Sequence, residues 1–298
     1  MNFKNKIILI TGGTGSVSKF IIDYLLKLSV KKIIIFSRDE YKQYQLNLEM
    51  IKYQKIFEFI IGDIRDYNSI KAALKNVDFV IHTAALKHVD VCEKNPEETI
   101  KTNIIGSQNL IHACIENNIK KVVSLSTDKA SMPINLYGAS KLVSDKLFVA
   151  ANMNSSKTLF SVVRYGNVFL SRGSVYPYFL KLIKKGKRTL PLTDKEMTRF
   201  WITPIEAVKT IFYTFAEMKG GEIIVPKIRS FKVINLIEAL KCKLKIIGLR
   251  KGEKLHETLI CKDDTRFTIE GKKQVLQENI LKTELSHFIP PNVITKKI

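Results

Sequence analysis

The stretch KIILITGGTGSVSKFIIDYLLKL, residues 6–28, decides the fold. Its opening, Lys6–Ile10, is an apolar, mostly β-branched run, which predicts a strand buried on both faces. From Ser16 to Leu28, Val17, Ile21 and Leu25 recur at helical spacing, which predicts an amphipathic helix. Between the two lies Thr11-Gly12-Gly13-Thr14-Gly15-Ser16-Val17-Ser18. Glycines there permit a tight turn and close backbone approach, and the helix N-terminus beyond them favours an anion. Strand, glycine turn and helix in that order predict a dinucleotide pyrophosphate held at Gly12, Gly15, Ser16 and Val17. Ser18 stands where the third glycine of a Gly-x-x-Gly-x-x-Gly spacing falls, the position that lets helix and strand pack closely. Serine is small, so a modest loss of fit is expected, without loss of binding.

The alternation continues outward from this unit. Lys32–Phe36, Phe57–Ile61, Val77–His82, Val122–Ser126 and Leu159–Val163 read as further strands. Helices are expected near Glu40–Tyr53, Ser69–Leu74 and Pro96–Asn117, and another carries Tyr137. Near-continuous apolar strands between amphipathic helices predict an α/β fold with a doubly wound parallel sheet. After Arg164 the regularity fails, and residues 167–200 mix Gly, Pro and many charges. A helix near Pro204–Met218 and a strand at Glu222–Val225 are expected to return to the sheet. The chain therefore divides into a dinucleotide-binding domain over 1–166, with 203–226 packing back onto it, and a smaller interleaved C-terminal substrate domain over 167–298.

Residues 124–141, SLSTDKASMPINLYGASK, carry the chemistry. Tyr137 and Lys141 lie four apart in a helical run and share one face. A lysine beside a phenol favours the phenolate, which can take a hydroxyl proton while hydride leaves the same carbon. Thr127-Asp128-Lys129 sit at the carboxyl end of a strand, where open α/β sheets bind ligands. Asp128 and Lys129 read as an acid–base pair, with a loop-end salt bridge as the plain alternative. Thr127 reads as a substrate hydrogen-bonding group or a cap for the next loop. Such a set suggests more than a simple dehydrogenase.

Strand two ends in Phe36-Ser37-Arg38-Asp39. Ser37 and Arg38 suit a 2′-phosphate, which favours NADP over NAD, although Asp39 could instead hold a ribose. Asp63, followed by Ile64, is placed to face an adenine or to cap the next helix.

Lysine and arginine total 49 against 28 acidic residues, a net charge of +21. The lysines are spread along the chain and no nucleic-acid-binding motif accompanies them, so no nucleic-acid partner is expected. Small polyanions, a dinucleotide and a nucleotide sugar, suit a basic cleft equally well. Apolar residues make up 45%, which fits a globular chain. No apolar run is long enough for a membrane span, and the first strand is too short for a signal-peptide core. Cys92, Cys114, Cys242 and Cys261 show no paired spacing and read as reduced packing residues in a cytoplasmic protein. His82 and His88 lack metal-ligand spacing, so no metal is expected.

The longer strings narrow the reading. Tyr137-Gly-Ala-Ser-Lys141 with the glycine loop resembles the extended short-chain dehydrogenase/reductase superfamily, which implies a Rossmann-type fold. Ser126-Thr-Asp-Lys-Ala130, Val163-Arg-Tyr-Gly-Asn-Val168, Ser171-Arg-Gly-Ser-Val175, Met197-Thr-Arg-Phe-Trp-Ile-Thr203 and Gly252-Glu-Lys-Leu-His-Glu257 resemble the UDP-N-acetylglucosamine 4,6-dehydratases that invert carbon 5. The likeness runs from about Lys6 to about Glu270. Departures are Ser18, Leu170 where glycine is usual, and Lys251 where proline is usual.

The resemblance implies a hydro-lyase acting on UDP-N-acetylglucosamine with NADP. Tyr137 would be the base at carbon 4, its pKa lowered by Lys141, and Thr127 would bind the oxygen there. Lys129 would remove the carbon 5 proton, its own pKa lowered by burial beside Lys141 and the nicotinamide, and Asp128 would protonate the departing carbon 6 hydroxyl. Ala84 and Val168 join Tyr137 and Lys141 among the cofactor contacts. Lys87, Asn167, Arg172, Arg199, Arg250 and Glu253 resemble the substrate contacts. The product would be a UDP-4-keto-6-deoxy-L-hexosamine for bacterial surface or flagellar glycans such as those of the pseudaminic type. A homo-oligomer is implied, a hexamer being one arrangement open to it. The rivals are a nucleotide-sugar 4-epimerase, which needs Tyr137 and Lys141 but no Asp128–Lys129 pair, and a non-catalytic NADP-sensing regulator.

Overall fold

The computed structural model describes residues 1–155, 157–261 and the strand backbone at 266–268. The remainder of the expected substrate domain lies outside the described residues. The first half alternates as expected: β1 (Ile7–Thr11), α1 (Ser16–Leu26), β2 (Lys32–Ser37), α2 (Glu40–Glu49), β3 (Phe57–Ile61), α3 (Tyr67–Ala73) and β4 (Phe79–His82). Then come α4 (Val89–Lys94), α5 (Pro96–Ile100), α6 (Gly106–Glu116), β5 (Lys121–Thr127), α7 (Leu136–Ala150) and β6 (Leu159–Tyr165). The chain continues through β7 (Asn167–Val168), α8 (Val175–Lys184), β8 (Thr189–Leu192), β9 (Thr198–Ile202) and α9 (Pro204–Glu217). It ends in β10 (Ile223–Val225), β11 (Arg229–Lys232), α10 (Val233–Ala239), β12 (Lys243–Ile246) and β13 (Arg266–Thr268).

The main sheet runs β13-β10-β6-β5-β4-β1-β2-β3 and all its pairs are parallel. Strand order reverses between β1 and β4, which opens a crevice at the carboxyl ends of those strands. Side chains alternate between the two faces as the pleat requires. Ile8, Ile10, Ile33 and Ile35 pack under α1 and α9, whereas Leu9, Ile34 and Phe36 pack under α3 and α6. A third core of Phe179, Leu190, Phe231 and Leu236 joins α8, α10 and the short strands. Helix α9 packs on α1, β5 and β6, and β10 adds to β6 in the main sheet.

Two expectations need correction. The long helix foreseen near Pro96–Asn117 runs without interruption over Pro96–Glu116 but is not regular: a π-turn over Lys101–Ile105 joins α5 to α6. Such turns bulge one residue out of the ladder. Here it presents Asn103, which receives the Leu86 N–H at 2.8 Å and donates to the Leu86 carbonyl at 2.9 Å. The stretch 167–200, foreseen as irregular, contains α8, whose Pro177 falls in the first turn where no helical N–H is lost.

Candidate active site

The glycine turn closes against the start of the loop after β4. Gly12 has φ +64°, and a Cβ there would lie 2.8 Å from the Ala84 Cα, so only glycine fits. Helix α1 has no side-chain cap and no acidic residue in its first turn, which leaves its N–H groups for an anion. The expected looseness at Ser18 is not what the structure shows. Ser18 is fully buried, donates to the Gly12 carbonyl at 3.1 Å, and lies 3.1 Å from the Thr83 hydroxyl. The serine closes the turn where a glycine would have left it open.

Ser37, Arg38, Asp39 and Lys42 line the far end of the same cleft. Asp39 caps α2 by accepting from the Lys42 N–H and pairs with the Lys42 ammonium, so it is engaged within its own helix. Asp63 does not line the cleft. Its carboxylate takes Arg65 at 2.6 and 2.8 Å and Arg38 at 3.6 Å. Nor does it cap the next helix, which Asp66 does. Ile64, buried against α6, reaches the cleft instead.

Strand β5 delivers Thr127, and a single 3₁₀ turn, Asp128–Ala130, follows. Helix α7 starts close by, and a Cβ on Gly138 would lie only 2.2 Å from the Lys129 carbonyl oxygen. That approach sets the Tyr137 phenol over the turn. The Thr127 hydroxyl donates to Asp128 Oδ1 at 3.0 Å, and Lys129 Nζ reaches the same oxygen at 3.0 Å. Thus the plain salt bridge and the acid–base pair foreseen for these residues are one arrangement. Thr127 also caps the turn, accepting from the Lys129 N–H at 3.3 Å. Asp128 is fully buried behind the cleft wall and its Oδ2 has no hydrogen-bond partner.

The charge on Lys129 is opposite to expectation. Burial alone would lower its pKa, but the Asp128 and Glu257 carboxylates overcome burial and raise it above the ordinary lysine value. Lys129 is an ammonium held between two anions. Tyr137 is pushed up to about 12 by burial, with Lys129 and a hydrogen bond to Thr127 acting in the opposite sense. The cation felt by this phenol is therefore Lys129 and not the expected Lys141. Burial lowers Lys141, whose partner is Asp145 on the next turn of α7. Asp145 itself pairs with the fully buried Arg164 at 3.1 Å and accepts from Ser126 at 2.8 Å. His82 lies in the same buried layer, held neutral with its pKa near 3, with Nδ1 2.7 Å from Thr11 Oγ1.

The predicted substrate contacts converge across the cleft. Lys87 Nζ donates to the Arg172 carbonyl at 2.9 Å, and the Arg172 N–H donates to Ser16 at 3.1 Å, which ties the 167–175 loop to the glycine turn. Arg199 is buried and donates to Glu253 at 3.3 Å. Glu253 is thus engaged by an arginine. Arg250 stands at the rim, 4.0 Å from Asp90, and Asn167 and Val168 complete the wall. All these groups line one cleft of about 1110 Å³, large enough for a dinucleotide and a second nucleotide together. Asp63 and Asp128 are the two predicted residues that do not line it.

The family model described as polysaccharide biosynthesis protein matches residues 8–278. The chain belongs to that family. A Campylobacter jejuni relative named UDP-N-acetylglucosamine 4,6-dehydratase (inverting) is 55% identical over 273 residues, covering 90% of this chain and 81% of its own length. A Rickettsia bellii relative named UDP-glucose 4-epimerase is 44% identical over 274 residues, covering 88% and 80%. Pen from Bacillus thuringiensis, solved by X-ray, superposes with a TM-score of 0.84 at 40% identity, over 88% of this chain and 85% of that one. Among the described residues, no helix is long and apolar enough to cross a membrane.

Two residues of this polysaccharide biosynthesis family member were missed from sequence. Asn103 fixes the cleft loop from within the π-turn and donates to Ser140 at 3.0 Å. Glu257 reaches Lys129 in the Asp128–Ala130 turn from the segment after β12. The first had no signal beyond a polar residue in an apolar helix. The second lay inside the Gly252–Glu257 string, but its neighbours are visible only in three dimensions.

Proposed function

We propose that this chain is an NADP-dependent UDP-N-acetylglucosamine 4,6-dehydratase that inverts carbon 5. The observation carrying the proposal is the Asp128–Lys129 pair, 3.0 Å apart beneath Tyr137 at the carboxyl end of β5. A 4-epimerase has no use for such a pair, since it moves hydride at carbon 4 without touching carbons 5 and 6. The glycine turn, the uncapped α1 terminus and the Ser37–Arg38–Lys42 rim fit a dinucleotide with a 2′-phosphate. That cofactor, when bound, accepts hydride from carbon 4 and returns it to carbon 6.

Once ionised to the phenolate, Tyr137 takes the carbon 4 hydroxyl proton, and Thr127 holds the oxygen. The resulting ketone acidifies the carbon 5 proton, which Lys129 removes. Asp128 supplies a proton to the carbon 6 hydroxyl, which leaves as water. Catalytic hydrogen bonds tighten with the sugar seated, and the Asp128 contact to carbon 6 is one of these. Carbon 5 takes a proton from water on the opposite face, and Tyr137 returns to water the one it took at carbon 4, so the proton count closes. The sugar loses one water and no net electrons.

Lys129 needs to be neutral and Asp128 protonated before either acts. The carboxylates beside Lys129 favour its ammonium instead. Moving one proton across 3.0 Å, from Lys129 to Asp128, creates both the base and the acid. Forming that pair draws no proton from solvent. Lys87, from the loop after β4, joins Asn167, Arg172, Arg199, Arg250 and Glu253, from a smaller C-terminal part interleaved with the dinucleotide-binding part, to form the nucleotide-sugar side. The same proposal places the enzyme in the cytoplasm as a homo-oligomer feeding surface glycan synthesis.

Incubating the protein with UDP-N-acetylglucosamine and NADP tests this. Loss of one water by mass, with NMR showing an L-configured 4-keto-6-deoxy product, is expected. A product of unchanged mass with an inverted carbon 4 would make the chain an epimerase, as the Rickettsia relative's name suggests for that protein.

A further inference from the structure

We propose that Glu257 is a positioning residue for the dehydration: its carboxylate holds Lys129 over the catalytic turn and sets which partner owns the proton shared with Asp128. This rests on the dehydratase reading above and deepens it. Glu257 lies in the segment after α10 and is 3% exposed. Its Oε1 is 3.3 Å from Lys129 Nζ, and it lines the cleft. The segment is strapped on both sides of it. The Leu255 carbonyl accepts from the Thr198 N–H at 3.2 Å, and the Leu259 carbonyl accepts from Arg164 at 3.1 Å. A buried carboxylate anchored this firmly has a purpose beyond a surface ion pair.

The groups facing Lys129 come from every neighbouring element. Asp128 is beside it on the turn, Glu257 faces it from the strap, Arg199 acts from β9, and Tyr137 lies above on α7. Lys254 stands 3.7 Å from Glu257 Oε2 and donates to the Ser131 carbonyl at 2.8 Å, so it competes for the same anion. Of these, only Asp128 and Glu257 favour the ammonium. Removing the Glu257 charge therefore moves the proton preference toward Asp128, and removing Lys254 leaves Glu257 wholly to Lys129.

The test uses full-length protein labelled with ¹³C at lysine Cε, the Lys129 resonance being the one lost in Lys129→Arg. In Glu257→Gln, which keeps shape and removes charge, the Lys129 titration midpoint falls by at least about one pH unit. The alkaline limb of the kcat/KM profile for water loss falls with it. Glu257→Asp restores part of the parent profile. If Glu257→Gln does not fold, Lys254→Met is read instead, and the midpoint rises. An unmoved Lys129 midpoint in the variant that is read overturns the proposal, even if activity falls. If the parent releases no water, the dehydratase reading fails, and the Lys129 resonance still decides the role of Glu257.

Discussion

Gly138→Ala adds one methyl and removes no chemical group, yet it should disable the site. The new Cβ would meet the Lys129 carbonyl oxygen at 2.2 Å and Pro133 at 3.1 Å. Carbon–oxygen contacts settle at about 3.3 Å or more, so α7 and the catalytic turn must separate by roughly 1 Å. Overpacking of this kind costs about 1–3 kcal/mol. Alanine's better helix propensity returns up to about 1 kcal/mol, so the net loss is about 0–2 kcal/mol. That predicts a fall in Tm of at most about 8 °C in differential scanning calorimetry. The catalytic effect is larger. A misplacement of about 1 Å between reacting groups costs on the order of 10²-fold in rate. Water loss from UDP-N-acetylglucosamine, followed by mass, should therefore drop about a hundredfold. Parent-level turnover at parent Tm would show that α7 and the Asp128–Lys129 turn are not in the contact described.

Other outcomes follow from single residues. Ser18→Gly should weaken dinucleotide binding by up to about thirtyfold in titration calorimetry, because each of the two hydrogen bonds lost from the closed turn is worth about 1 kcal/mol. A tighter complex would favour the open turn. Leu170, half exposed, has φ +66°, which costs a bulky residue about 1–2 kcal/mol and accounts for the glycine usual there. Leu170→Gly should raise Tm by a few degrees, the gain being trimmed by about 0.5–1 kcal/mol of glycine freedom in the unfolded chain. An ultraviolet difference titration of the parent against Tyr137→Phe should place the phenol near 12 in the ligand-free protein. Its folded pKa is raised above the reference of about 10, so the stability it contributes is complete below that reference and is lost as pH climbs toward the folded value.

The dinucleotide half was legible because its signals are local. Ile7–Thr11 and Lys32–Ser37 are β-branched runs whose burial on both faces needs no partner to be guessed. Gly12 and Tyr137–Lys141 sit at spacings that chain geometry alone interprets. What failed was set by residues distant in sequence. Lys129 was expected to lose its charge through burial beside Lys141 and the nicotinamide. Two carboxylates favour the charge instead: Asp128, its neighbour in the chain, and Glu257, which comes from another segment. The π-turn at Lys101–Ile105 was invisible because its apolar pattern reads as continuous helix, and what bends it is Asn103 reaching for Leu86. Ser18 looked like a defect beside a glycine pattern, although its hydroxyl supplies the bonds that the turn otherwise lacks.

The Asp128–Lys129 pair also constrains when the chemistry can start. In water, shifting a proton from an ordinary lysine at about 10.4 to an ordinary aspartate at about 3.9 spans about 6.5 pH units, or roughly 9 kcal/mol. A cost of that size would consume much of what a catalyst can supply. Burial shrinks it, because the neutral pair gives up no ion solvation when water leaves, whereas the ion pair does. Here Asp128 is already fully buried, whereas Lys129 is 19% exposed and lines the cleft, where water reaches it. A hexose ring seated there closes that approach. The sugar is then not only the substrate of the acid–base pair but the group whose arrival makes the pair, and Glu257, pulling the other way, keeps the unloaded turn inert.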